Sequence, residues 1–99
     1  MTTAHRLPAE ATVRWCRSAR VVWRRTLDGV IVLPILEAAE PIALRGSAAD
    51  IWDLLAEPMT SEDLVAVLAA THGVSAMSVA VDVDGALVSL SELGALCRG

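Results

Sequence analysis

Two runs rich in β-branched residues meet at Asp28-Gly29, and that junction constrains the fold of this 99-residue chain more than any other stretch. Upstream, Val21, Trp23 and Leu27 share one parity while Arg24 and Thr26 take the other. Downstream stands Val30-Ile31-Val32-Leu33. Two such runs joined by Asp-Gly predict a β-hairpin on a type I′ turn, with φ positive at both central residues. Pro34 cannot donate to a ladder, so the second strand is expected to end beside it. Glu37-Ala38-Ala39-Glu40-Pro41 reads as the next turn and Ile42-Ala43-Leu44 as a short third strand. The result is a three-stranded antiparallel meander.

Beyond Gly46 the apolar period changes to 3.6. Ser47 is expected to cap a first helix, with Asp50 three positions on. Ile51, Leu54 and Leu55 give that helix an apolar stripe, with Trp52 beside it, and Pro58 stops it. Thr60 caps a second helix, with Glu62 and Asp63 at its positive end and Leu64, Val65, Val67 and Leu68 behind them. Gly73 suits the left-handed position past that helix, which makes His72 a surface residue near the negative end. Residues 74–96 admit two patterns. Val79, Val81 and Val83 alternate as in a strand, and Asp84-Gly85 resembles a turn. Val79, Val83, Ala86, Leu87, Leu90 and Leu93 instead form one longer helical face, with Ser75 to start it and Gly94 to end it. The longer pattern predicts a third helix, in which Gly85 costs about 1 kcal/mol relative to Ala.

The whole is α+β and winged-helix-like, a three-stranded sheet followed by three helices. Residues 1–19 read as a loose arm, since Pro8 and the lack of periodicity give residues 2–12 no element, and residues 20–97 read as the domain. Of the three tryptophans, Trp52 is expected in the core and Trp15 is expected to be the most exposed.

Composition narrows the function. With 55% hydrophobic and 20% charged residues the chain has material for one core. Its longest apolar runs, residues 30–36 and 64–70, fall far short of the ~20 residues of a spanning helix. The opening residues lack the apolar stretch of a secretion signal. Cys16 and Cys97, near opposite ends, form neither a disulfide framework nor a C-x-x-C clip, which suits a reduced, cytoplasmic protein. Charge is uneven: residues 1–25 carry a net +5, all of it from Arg, and residues 26–99 a net −9. The basic stretch is expected to be a solvated strand face with internal partners. His5 and His72 stand apart with no metal-ligand spacing, no Gly-rich loop follows a strand, and the paired acids Asp50/Asp53 and Asp82/Asp84 suit solvated helix faces. These features predict a non-enzyme without metal or cofactor.

Several ordered pieces resemble a family. They are Val22-Trp23-Arg24-Arg25-Thr26-Leu27-Asp28-Gly29-Val30-Ile31-Val32-Leu33 and Ile42-Ala43-Leu44-Arg45-Gly46-Ser47-Ala48-Ala49-Asp50-Ile51-Trp52-Asp53-Leu54-Leu55. Thr60-Ser61-Glu62-Asp63-Leu64-Val65 and the Val79, Val83, Leu87, Leu90, Leu93-Gly94-Ala95-Leu96 series complete the set. Over about residues 20–96 the chain resembles PqqD-type peptide chaperones. It departs from many of them at Leu44-Arg45, where Leu-Asn is common, and at Ile42-Ala43, where an aromatic is frequent. The resemblance implies a RiPP recognition element: a domain that holds the leader of a ribosomally made precursor peptide for a modifying enzyme, often a radical-SAM protein.

Physics supports such a role, because the third strand of a meander leaves one edge open to an added peptide strand. The groove is expected between that edge and the third helix. Ile42, Ala43 and Leu44 would give backbone bonds, and Arg45 would answer an acidic peptide residue. Asp82 would answer a basic one, and Val83, Ala86, Leu87 and Leu90 would supply the helical wall, with Val83 and Leu87 shared with the core. Two other readings compete: a winged-helix DNA-binding regulator, and a protein–protein adaptor using the same edge. Strand exchange at that edge would give a homodimer. The third helix carries Asp82, Asp84 and Glu92 and no cation, so it would repel phosphate. The protein is therefore expected not to bind random duplex DNA at physiological salt. Submicromolar binding in a gel-shift assay, weakening steeply with salt, would restore the regulator reading.

Overall fold

A computed structural model describes residues 13–33 and 40–98. In chain order the elements are β1 (Trp15–Arg17), β2 (Val22–Thr26), β3 (Gly29–Leu33), β4 (Ile42–Arg45), α1 (Ser47–Leu54), α2 (Ser61–His72), α3 (Ala76–Glu92) and β5 (Leu96–Arg98). Strands β2, β3 and β4 form the expected antiparallel meander in that order, and β1 pairs separately with β5. The fold is thus α+β, with three helices after the meander. The turn expected over residues 37–41 falls mostly outside the described residues, as do residues 1–12 of the arm.

The hairpin forms, but not on the turn its sequence suggests. Thr26 pairs with Gly29, so the two-residue loop is Leu27-Asp28. Neither loop residue has positive φ, and Gly29 is absent from the positive-φ glycines of the described chain. What demands glycine at 29 is β4: a Cβ there would collide with the Leu44 carbonyl oxygen. Gly29 serves a close approach between strands, not a type I′ turn.

The first helix also starts differently from expectation. Gly46, at φ 58° and ψ −131°, is its N-cap, with no side-chain capping bond, and Ser47 is the first helical residue. The chain passes directly from β4 into α1, and the bend needs a positive φ that Ser would strain to adopt. The other caps follow the sequence. Thr60 Oγ1 accepts from the Asp63 N–H at 3.0 Å, and Ser75 Oγ accepts from the Ser78 N–H at 3.2 Å. Gly73 closes α2 in the left-handed region at φ 66°. Residues 76–92 are helical, and the strand alternative for this stretch is set aside.

Residues 15–17, assigned to the arm from sequence, are instead built into the domain as β1. The Trp15 N–H donates to the Met59 carbonyl (2.7 Å) and the Met59 N–H returns a bond to Trp15 (2.9 Å). Arg17 N–H donates to Leu55 O, and Ser18 N–H to Ala95 O. Trp15 is half-buried against the helices, whereas Trp23 is 38% exposed. Trp23, not Trp15, is the most exposed of the three, because β2 is a sheet edge.

Two apolar clusters make the core. One joins Val30, Val32 and Leu44 of the sheet to Ala49, Trp52 and Leu90. The other holds Ile51, Leu55, Leu64, Leu68, Val79, Val83 and Leu87 among the three helices. Trp52 is 0% exposed and meets Trp23 edge-on at 5.9 Å between ring centroids. Its Nε1 has no hydrogen-bond partner among the described residues. An unpaired buried donor costs about 1–3 kcal/mol, against roughly 4–6 kcal/mol for burying about 150–250 Å² of indole. Burial wins. Trp52→Ala should lower unfolding free energy by about 3–5 kcal/mol in urea titration, and a midpoint within experimental error of the parent would reject this assignment.

Candidate peptide-binding groove

The geometry of β4 sets the site. The hairpin loop closes on the Thr26–Gly29 pair, so Gly29, Ile31 and Leu33 turn their backbone groups toward β2, and Val30 and Val32 turn theirs toward β4. In the register, Val30 opposes Leu44, Val32 opposes Ile42 and Ile31 opposes Ala43. Leu44 and Ile42 therefore bond inward. Ala43 and Arg45 present N–H and C=O at the outer edge of the meander.

That edge borders a groove of about 410 Å³. Ile42, Ala43 and Leu44 form one wall, and Ser47 and Ala48 from the first turn of α1 contribute the end. Val81, Asp82, Gly85, Ala86, Ser89 and Leu90 of α3 form the other wall. The structure thus brings together Ile42, Ala43, Leu44, Asp82, Ala86 and Leu90 of the residues singled out from sequence. Arg45 does not line the groove; its Nε lies 3.6 Å from Asp28 in an exposed pair. Val83 and Leu87 face the helical core, as their shared assignment anticipated. Leu90 is 0% exposed and is packed in the Trp52 cluster. It is the floor of the groove and not a free wall.

Sequence reasoning missed Ser47, Ala48, Val81, Gly85 and Ser89. The signal existed: Val81, Gly85 and Ser89 recur every four residues, adjoining the Asp82–Ala86 row. Gly85 is informative. A Cβ built on it would touch nothing within 4 Å, so no close packing among the described residues requires glycine there. Small residues on both walls leave room for another backbone to approach.

Asp82 is the one ionisable group in the lining. A wider depression of about 640 Å³ lies on the other flank of α3, near Trp15, Leu87 and Val88. It borders no open strand of the meander, and volume alone does not make it the better peptide site.

The basic stretch is partly neutralised within the molecule. Arg25 Nη2 donates to Asp53 Oδ1 at 2.6 Å, and that bond, with the charge behind it, raises the guanidinium pKa further. The Arg17 guanidinium lies 4.8 Å from the Trp23 ring centroid and 5.4 Å from that of Trp52. His72 Nε2 meets Asp50 Oδ2 at 3.0 Å, tying the end of α2 to α1 at the surface. Among the described residues no group of three or more His, Cys, Asp or Glu could hold a metal, and no helix is long and apolar enough to cross a membrane.

Residues 30–96 match the family model for coenzyme PQQ synthesis protein D (PqqD). The chain belongs to the PqqD family. The match runs from β3 through the start of β5 and takes in both walls of the groove. No curated protein and no solved structure matches the chain. Membership in the PqqD family points to a non-catalytic, peptide-binding accessory role in peptide-derived biosynthesis. The position of Leu90 carries a direct consequence. Leu90→Asp should abolish the folded circular dichroism spectrum rather than merely weaken a ligand, because it places a carboxylate beside Trp52 and Val32. A folded, cooperative melt from this variant would show that Leu90 is not floor but rim.

Proposed function

We propose that this PqqD-family chain is a leader-peptide binding protein that presents a ribosomally synthesised precursor to a modifying enzyme, of the radical-SAM class that the family resemblance implies. The observation that carries the reading is the outer β4 edge, unpaired among the described residues, facing the gap at Gly85. An extended leader would add to β4 as an antiparallel strand, bonding to the backbone of Ala43 and Arg45. Its alternate side chains would enter the groove between Ala43 and Ala86. A basic leader residue would meet Asp82. The acidic α3 argues against the DNA-binding alternative.

Two substitutions test the groove without touching the core. Ala43→Pro removes an outward-facing N–H at an edge where proline is tolerated. Val81→Asp puts a charge on the helical rim, where Val81 is 72% exposed. Calorimetry against the leader segment of a short precursor gene neighbouring this one should show each variant weakened at least about tenfold, which corresponds to roughly 1.4 kcal/mol. Both should keep the parent melting profile. Undiminished binding by two folded variants would sink the groove assignment.

A further inference from the structure

The two cysteines, distant in sequence, are direct partners in the β1–β5 ribbon: Cys16 opposes Cys97. Both are free thiols, Cys16 half-buried and Cys97 exposed. Trp15 and Leu96 pack toward the helical cluster, so strand alternation turns Cys16 and Cys97 together onto the ribbon's other face.

The backbone pairing sets the spacing of the two cysteines. Trp15 and Arg17 direct their N–H groups to Met59 and Leu55, while the Ser18 N–H goes to Ala95. Even positions of β1 therefore bond to β5, which makes Cys16–Cys97 a hydrogen-bonded pair. Such pairs have Cα atoms about 5.5 Å apart, inside the range of about 4.4–6.8 Å that disulfides occupy. Their Cβ atoms stand about 4.5–5.5 Å apart, somewhat wider than the roughly 3.8 Å a relaxed disulfide takes. Closure draws two short strands together, and the bond is correspondingly easy to reduce.

We propose that Cys16 and Cys97 form a dithiol site that reacts with small disulfide oxidants of the glutathione class and closes reversibly into a cross-strand disulfide. The Cys97 thiolate, the more exposed, attacks one sulfur of the oxidant. The oxidant's S–S bond breaks, one glutathione leaves as thiolate, and a mixed disulfide forms on Cys97. The Cys16 thiolate then attacks the Cys97 sulfur and expels the second glutathione. Two protein thiols give up two electrons and two protons, and the oxidant becomes two thiols. The product fastens the first described strand to the last one. Both core clusters gain from that, since Val21 and Ala95 belong to one and Trp15 and Leu96 pack on the other.

The test is titration of the full chain with glutathione disulfide, followed by maleimide labelling, mass spectrometry of proteolytic fragments and thermal melts with and without dithiothreitol. Both thiols should disappear together, a fragment should join the Cys16 and Cys97 peptides, and the protein should stay monomeric on non-reducing gels. The melting temperature should rise by about 5–10 °C and fall back on reduction. Cys16→Ser should stop at the glutathione adduct on Cys97, with no rise in melting temperature. A disulfide-linked dimer through Cys97, a lasting adduct on wild-type Cys97 beside an intact Cys16 thiol, or no loss of thiol at all would each overturn the proposal. The wild-type fragment map reads the bridge whether or not the serine variant folds.

Discussion

Burial of the Trp52 indole is the contact on which the arrangement of sheet and helices depends. It projects from a helix of only eight residues, too short to be stable alone. Ala49 and Trp52 of that helix reach the sheet cluster, while Ile51 and the C-cap residue Leu55 reach the helical cluster. Successive positions of one short helix thus serve both halves of the core. The cation–π contact from Arg17 and the edge contact from Trp23 close the indole on its β2 side. Arg25 also lies over the Trp23 ring, at 5.8 Å from its centroid, so two arginines of the first strands lie over the paired indoles.

The third helix divides its circumference in the same way. Val79, Val83 and Leu87 are buried among helices, and Leu90 reaches the sheet cluster. The row Val81, Gly85, Ser89 lies on a flank turned to β4. A glycine inside a helix forgoes about 1 kcal/mol relative to Ala. Where no described neighbour fills the vacated space, that loss has no return among the described residues. It acquires a purpose if the space belongs to a ligand, and for this reason Gly85 says more about the groove than the apolar residues beside it do.

Much of this was legible in the sequence, and what was not has definable causes. Thr60, Ser75 and Gly73 act through local geometry, so the rules for helix ends located them. The meander and the third helix had apolar patterns long enough to be read. The β1–β5 ribbon had none: three-residue strands offer one alternation, and their partners stand at opposite ends of the chain. Asp28-Gly29 signals a turn because Asp-Gly is a local pattern, whereas the constraint on Gly29 is the Leu44 carbonyl fifteen positions away. The strand wall of the groove and the Asp82–Ala86 row could be anticipated from topology and helical period. Whether Leu90 was wall or floor could not, since it sits where two faces of the helix meet.

The dimensions of β4 limit how the groove can work in the proposed role. A four-residue strand with alternate residues already bonded to β3 offers two outward residues, Ala43 and Arg45. These provide at most about four backbone hydrogen bonds, each contributing roughly 0.5–1.5 kcal/mol net. That gross gain is comparable to the entropy of ordering the matching peptide residues, about 1–2 kcal/mol apiece. Backbone pairing would then fix register and direction but leave little surplus, so affinity would have to come from side chains entering the space beside Gly85 and Ala86. Selectivity would accordingly reside on α3 rather than on the strand. A domain built this way holds an extended peptide through a few replaceable contacts, which is compatible with passing it on to a second protein.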